Sequence, residues 1–122
     1  INVTTTTTTT QELSSFLPQD CKVLFVDDDF ILRKLFARSI KRVAPTWKVA
    51  EAGNGESALD LVLSGDDNEF DLIFMDQYMA SVQKQLLGTE TVRAMRSKGV
   101  KSIICGLSAN DCECGFRDAG AD

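Results

Sequence analysis

Carboxylates stand where short apolar runs end. Lys22-Val23-Leu24-Phe25-Val26 is followed at once by Asp27-Asp28-Asp29, and Asp71-Leu72-Ile73-Phe74-Met75 leads into Asp76, while Ile103-Ile104-Cys105-Gly106-Leu107 ends on the hydroxyl of Ser108. Carboxylates gathered within a few ångströms repel one another, which raises their pKa values unless a cation neutralises them. Mg²⁺ suits such a set, because it prefers oxygen ligands and keeps several waters, leaving positions open for a phosphoryl group. One carboxylate beside that ion is a useful nucleophile toward phosphorus, giving an acyl phosphate whose oxygens a hydroxyl such as Ser108 can hydrogen-bond. Each group also has a plainer reading. Asp27 to Asp29 suit a strand-end turn whose last aspartate caps a helix, Asp76 suits an Asx turn, and Ser108 suits a helix cap.

These groups act together only if the chain brings the ends of its apolar runs to one rim. After Asp29, Leu32, Phe36, Ile40 and Val43 recur at helical spacing, with Arg33, Lys34, Arg38, Lys41 and Arg42 on the other faces, until Pro45 stops the helix. Trp47 to Glu51 reads as a second strand, and Ala52-Gly53-Asn54-Gly55 turns into a helix carrying Ala58, Leu61 and Val62 and ending at Gly65. Beyond the strand that ends on Asp76 comes a long connection, Gln77 to Leu87. Thr89 is placed to cap a third helix through Val92 and Met95, with Gly99 past its end. A fourth strand over residues 102–107 and a last helix using Cys112, Phe116 and Ala119 complete the series. Four strand–helix units in succession imply a parallel α/β sheet with right-handed crossovers, whose strand ends share one rim.

Composition narrows the partners. A chain of 122 residues that is 43% hydrophobic can bury one core, and a net charge of -5 lacks the basic face that nucleic acid requires. No apolar run approaches membrane-spanning length and nothing resembles a signal peptide, so a cytoplasmic setting is expected for what reads as an excised piece. The absence of histidine removes any His-based triad or phosphohistidine carrier, and Cys21, Cys105, Cys112 and Cys114 do not form paired Cys-x-x-Cys knuckles for zinc. Residues 1–19, with the run Thr4 to Thr10, read as a linker too poor in apolar surface to order itself, leaving 20–122 as the domain.

Taken together, the motifs resemble the receiver domain of two-component response regulators and hybrid histidine kinases, from Lys22 to Asp122. Val23 to Asp29 is similar to that family's first strand with its acidic pair, Asp71 to Asp76 to its phosphoacceptor strand, Ala52-Gly53-Asn54-Gly55 with Ala58-Leu59 to the turn and helix between them, Ile103 to Ala109 to its switch strand, and Ala119-Gly120-Ala121-Asp122 to the turn after the fourth helix. The resemblance implies a flavodoxin-like doubly wound sheet of order 2-1-3-4-5. It also implies phosphorylation of Asp76, direct Mg²⁺ ligation by Asp28, help from Asp27 through a water, a further ligand in the main-chain carbonyl of Tyr78, and a switch role for Ser108. The donor it implies is a phosphohistidine on a histidine kinase or phosphotransfer protein. Such a domain is no ordinary enzyme; it catalyses its own aspartyl phosphorylation and signals by changing conformation.

The chain departs from the family in three ways. The connection after Met79-Ala80 is about four residues longer than the family's turn. The resemblance stops before the fifth strand, the lysine that follows it and the fifth helix, and Lys84 in the long connection is the nearest substitute for that lysine. Without a fifth strand, the fourth presents an apolar edge; the chain is then expected to be a piece of a longer receiver, the favoured reading, or else to cover that edge by self-association or by capture of a strand such as the Thr-rich segment. Two rival functions carry tests of their own. A haloacid-dehalogenase-like phosphatase would make Asp27 the nucleophile of an Asp-x-Asp signature and leave Asp76 without a role, whereas a pseudo-receiver would keep the fold as a binding module without cycling.

Overall fold

Residues 18–64, 70–76, 88–107 and 113–122 are described by the computed structural model of the chain. Strands β1 (Lys22–Val26), β2 (Lys48–Ala52), β3 (Leu72–Asp76) and β4 (Ile103–Leu107) alternate with helices α1 (Phe30–Val43), α2 (Gly55–Leu63), α3 (Gly88–Ser97) and α4 (Glu113–Ala119). All strand pairs are parallel, as the alternating pattern implied, and the sheet order is β2-β1-β3-β4, the flavodoxin-like order that the resemblance implied.

Strand periodicity sorts the side chains onto two faces. Leu24 and Val26 of β1 and Ile73 and Met75 of β3 enter a buried cluster with Ala58, Val92, Met95, Ile104, Phe116 and Ala119, the face covered by α2, α3 and α4. The alternate residues Phe25 and Phe74 are register partners on the other face, where Phe36 of α1 stacks on Phe25 at 4.1 Å and meets Phe74 edge-on at 5.0 Å. Such aromatic contacts contribute about 0.5–1.5 kcal/mol each beyond the area they bury. They also dock α1 directly on the two strands that carry the aspartates.

The helix ends follow local chemistry. Asp29 caps α1 by accepting the N–H groups of Ile31 and Leu32 at 2.9 and 3.2 Å, and Ala44 ends that helix just before Pro45. Asn54 caps α2 through the Ser57 N–H at 2.7 Å. Gly99, at φ 87°, closes α3 with the Val100 N–H returning to the Met95 carbonyl at 3.1 Å, a Schellman ending.

Three expectations change. Thr89 lies inside the first turn of α3, which already begins at Gly88, so it does not precede the helix as a cap. Strand β2 is displaced by one residue, to Lys48–Ala52, because Trp47 is spent on a turn in which its N–H meets the Ala44 carbonyl. Leu32 is 48% exposed, so the packed stripe of α1 is the one centred on Phe36, and the first two turns show Phe30, Ile31, Leu32 and Leu35 to solvent. The Thr-rich residues 1–17, Gly65 and Cys112 lie outside the described residues.

At the outer edge of β4, Asp122 donates its N–H to the Ile104 carbonyl at 2.8 Å while its carboxylate accepts the Ile104 N–H at 3.0 Å. The edge expected to be bare is thus occupied at that residue. Arg96 holds this corner, reaching the carbonyls of Val100, Ser102 and Gly120 and the Asp122 carboxylate.

Candidate functional site

Parallel register builds the site. Because Val26 pairs with Met75, the next residues, Asp27 and Asp76, come abreast at the C-terminal rim of the sheet, and Asp28 follows as the chain turns toward α1. Carboxylate oxygens of Asp27, Asp28 and Asp76 all lie within 4.8 Å of one another. Asp27 is only 7% exposed, whereas Asp28 and Asp76 are half-buried and open to the rim. Of the three aspartates in the run, two therefore belong to the cluster and the third, Asp29, caps the helix, as the plainer reading of that run had it.

Asp27 is gripped along its whole length. Its N–H donates to the Ala52 carbonyl at 3.1 Å, its carboxylate accepts the Asp29 N–H at 2.9 Å, and its carbonyl accepts from Arg33 Nη1 at 2.6 Å. Burial pushes the Asp27 carboxyl above its ordinary value of 3.8; the Asp29 N–H opposes this and the neighbouring charges of Asp28 and Asp29 add to it. A buried carboxyl destabilised in its charged form beside two more carboxylates could hold a hard cation, which would relieve that repulsion. The donor set fits one: it is all oxygen, its ligand atoms lie within 4.8 Å of one another, and among the described residues no thiol belongs to the cluster.

Arg33 escaped sequence reading, which placed it on the solvated face of α1. Its side chain is 16% exposed, against 55% for neighbouring Lys34, and its Nε meets Glu51 Oε1 at 3.2 Å. The available signal was Glu51, the one acid in the second strand. Tyr78, Lys84 and Ser108 lie outside the described residues; Leu107, the residue before Ser108, pairs with Asp76.

Comparison with known proteins agrees with this geometry. The profile of the response regulator receiver domain matches residues 23–119. The chain is 34% identical over 104 residues to the nitrate/nitrite response regulator protein NarP of Escherichia coli, covering 83% of this chain and 45% of that protein. It is 32% identical over 100 residues to histidine kinase CKI1 of Arabidopsis thaliana, covering 74% of this chain and 9% of the kinase, so it spans less than half the length of either relative. The solved receiver domain of CKI1, complexed with Mg²⁺ and BeF₃⁻, superposes with a TM-score of 0.71 at 31% identity, over 89% of this chain and 81% of that one. With a parallel 2-1-3-4 sheet, aspartates at the ends of two adjacent strands and a profile match over most of its length, the chain belongs to the response regulator receiver domain family of two-component signalling.

Proposed function

We propose that this domain takes a phosphoryl group from a phosphohistidine donor onto Asp76 with Mg²⁺, and signals by the conformational change that follows. The observation that carries the reading is the convergence of Asp27, Asp28 and Asp76 within 4.8 Å on one rim. Asp28 would ligate the ion directly and Asp27 would assist through a water, with Asp76 and the main-chain carbonyl of Tyr78 completing the protein's share. When bound, Mg²⁺ neutralises the carboxylates and spreads the charge of the phosphoryl oxygens. A carboxylate oxygen of Asp76 attacks phosphorus opposite the donor imidazole. The new O–P bond forms as the P–N bond breaks, and the imidazole nitrogen keeps the electron pair and is then protonated from solvent. The hydroxyl of Ser108 binds a phosphoryl oxygen of the product, and Lys84 supplies a loop cation.

Membership of the receiver family supports a histidine kinase or a histidine phosphotransfer protein as the donor. The exposed apolar turns of α1 begin beside the acidic rim and give such a partner a surface to rest on. Among the described residues no helix is long and apolar enough to cross a membrane, in keeping with action in the cytoplasm. The family match favours Asp76 over Asp27 as acceptor and so opposes the dehalogenase-like reading.

Incubation with a small phosphodonor and Mg²⁺, followed by intact-mass measurement, tests the assignment. Wild type gains one phosphoryl group, Asp76→Asn does not, and chelation with EDTA abolishes the gain. A folded wild-type chain that is never modified sinks the proposal and leaves the non-cycling pseudo-receiver.

A further inference from the structure

We propose that Arg33 is the positioning residue of the acidic centre and that Glu51 holds it in place; the inference rests on the metal reading of that centre. The peptide group joining Asp27 to Asp28 is planar, so whatever fixes the Asp27 carbonyl also fixes the direction in which the chain enters Asp28. Arg33 Nη1 fixes it, with a donor distance of 2.6 Å. The other two anchors of Asp27, to the Ala52 carbonyl and the Asp29 N–H, hold its own N–H and carboxylate, so Arg33 adds a hold on the carbonyl that neither of them provides.

The guanidinium is itself oriented. Its Nε donates to Glu51 Oε1 at 3.2 Å, and Glu51 Oε2 accepts from Lys34 Nζ at 3.0 Å, so the carboxylate at the end of β2 is shared between two consecutive residues of α1. The guanidinium lies over Gly53, where a Cβ would be in van der Waals contact with Nη1 at 3.4 Å. A planar fork with several fixed donors can meet a carbonyl and a carboxylate at once, which an ammonium can do only loosely. Arg33 therefore acts behind the ligands, on the backbone between them, and touches neither the ion nor the phosphoryl group.

The sign of one measurement separates positioning from simple electrostatics. Removing a positive charge near three carboxylates should tighten cation binding if charge alone matters; loss of the peptide anchor should weaken it. Mn²⁺, titrated into the chain and followed by the electron paramagnetic resonance signal of the free ion, reads affinity without any phosphodonor. For Arg33→Met we expect about tenfold weaker binding, in the range found for groups that orient metal ligands, with Arg33→Lys intermediate and Arg38→Met, an exposed residue of the same helix, at or slightly tighter than wild type. Thermal unfolding in EDTA establishes that each variant is folded. Unchanged or tighter Mn²⁺ binding by folded Arg33→Met overturns the inference; should that variant fail to fold, wild-type affinity in Arg33→Lys overturns it instead. A wild-type chain that binds no Mn²⁺ overturns the metal reading and this inference with it, whereas a wild-type chain that binds tightly beside an indifferent Arg33→Met overturns this inference alone.

Discussion

Neutralising Asp27 should stabilise the metal-free domain while crippling its response to Mg²⁺. Asn in place of Asp27 keeps an oxygen to accept the Asp29 N–H, so the change removes charge with little loss of hydrogen bonding. The oxygens of Asp27 and Asp28 lie no more than 4.8 Å apart, a separation at which two unit charges repel by about 1 kcal/mol in water and about 3.5 kcal/mol at an effective dielectric constant of 20. For a site at the rim, a gain of about 1–2 kcal/mol is expected, which raises the melting temperature of a domain of this size by about 4–16 °C in EDTA. The direction with pH follows from the raised Asp27 pKa. Below its unfolded value the protonated group carries its full share of stability, and that share is lost as pH rises through the folded value, so wild type loses stability over the interval just above pH 3.8 and Asp27→Asn lacks this loss. Mg²⁺ at a hundredfold excess over its dissociation constant should add about 2.7 kcal/mol to wild type and less than half of that to the variant. Differential scanning calorimetry at constant ionic strength, with and without Mg²⁺, measures both effects. A variant that melts below wild type in EDTA, or that gains as much from Mg²⁺ as wild type does, refutes the reasoning.

Other expectations concern the frame around the site. Gly106→Ala would drive a Cβ into the Phe116 ring, so it should cost about 1–3 kcal/mol in urea unfolding, with partial recovery in Gly106→Ala/Phe116→Leu. Phe36→Ala removes the ring that joins α1 to Phe25 and Phe74; because Phe36 is half-buried, a loss of about 3 kcal/mol is expected, the lower end for such truncations, measured in the same way. For the 122-residue chain, sedimentation velocity should show self-association through the outer edge of β4, reversed by Ile103→Lys, since Ile103 on that strand is 58% exposed. A monomer at all concentrations removes that expectation.

The sheet was legible because β1, β3 and β4 are compact apolar runs leading to a polar residue, and because strands and helices alternate among the described residues. Parallel register then made Asp27 and Asp76 neighbours by necessity, so the centre followed once the strands did. What stayed hidden depends on which way a helix faces. The spacing of Leu32, Phe36, Ile40 and Val43 marks an apolar stripe, yet only Phe36 meets a ring on both β1 and β3, while Leu32 turns outward. Arg33 looked like one more surface cation, since periodicity carries no information about a carboxylate arriving from another strand at Glu51. Thr89 shows the same limit at smaller scale: a residue type that suits a cap does not say whether the helix has already begun at Gly88.

Trp47, the only tryptophan in the chain, donates its indole N–H to the Pro18 carbonyl at 2.9 Å, and beside it the Thr46 hydroxyl donates to the Gln19 carbonyl. This seam lies at the rim where β1 and β2 begin, about 17 Å, one strand length, from the rim where β1 and β3 end. The polypeptide thus enters the domain on the side away from the aspartates, and anything tethered ahead of Pro18 pulls there without crowding an incoming donor. Indole emission should report strain on that tether and stay silent to the occupancy of Asp76, giving one optical channel for attachment and leaving chemistry to be read by mass.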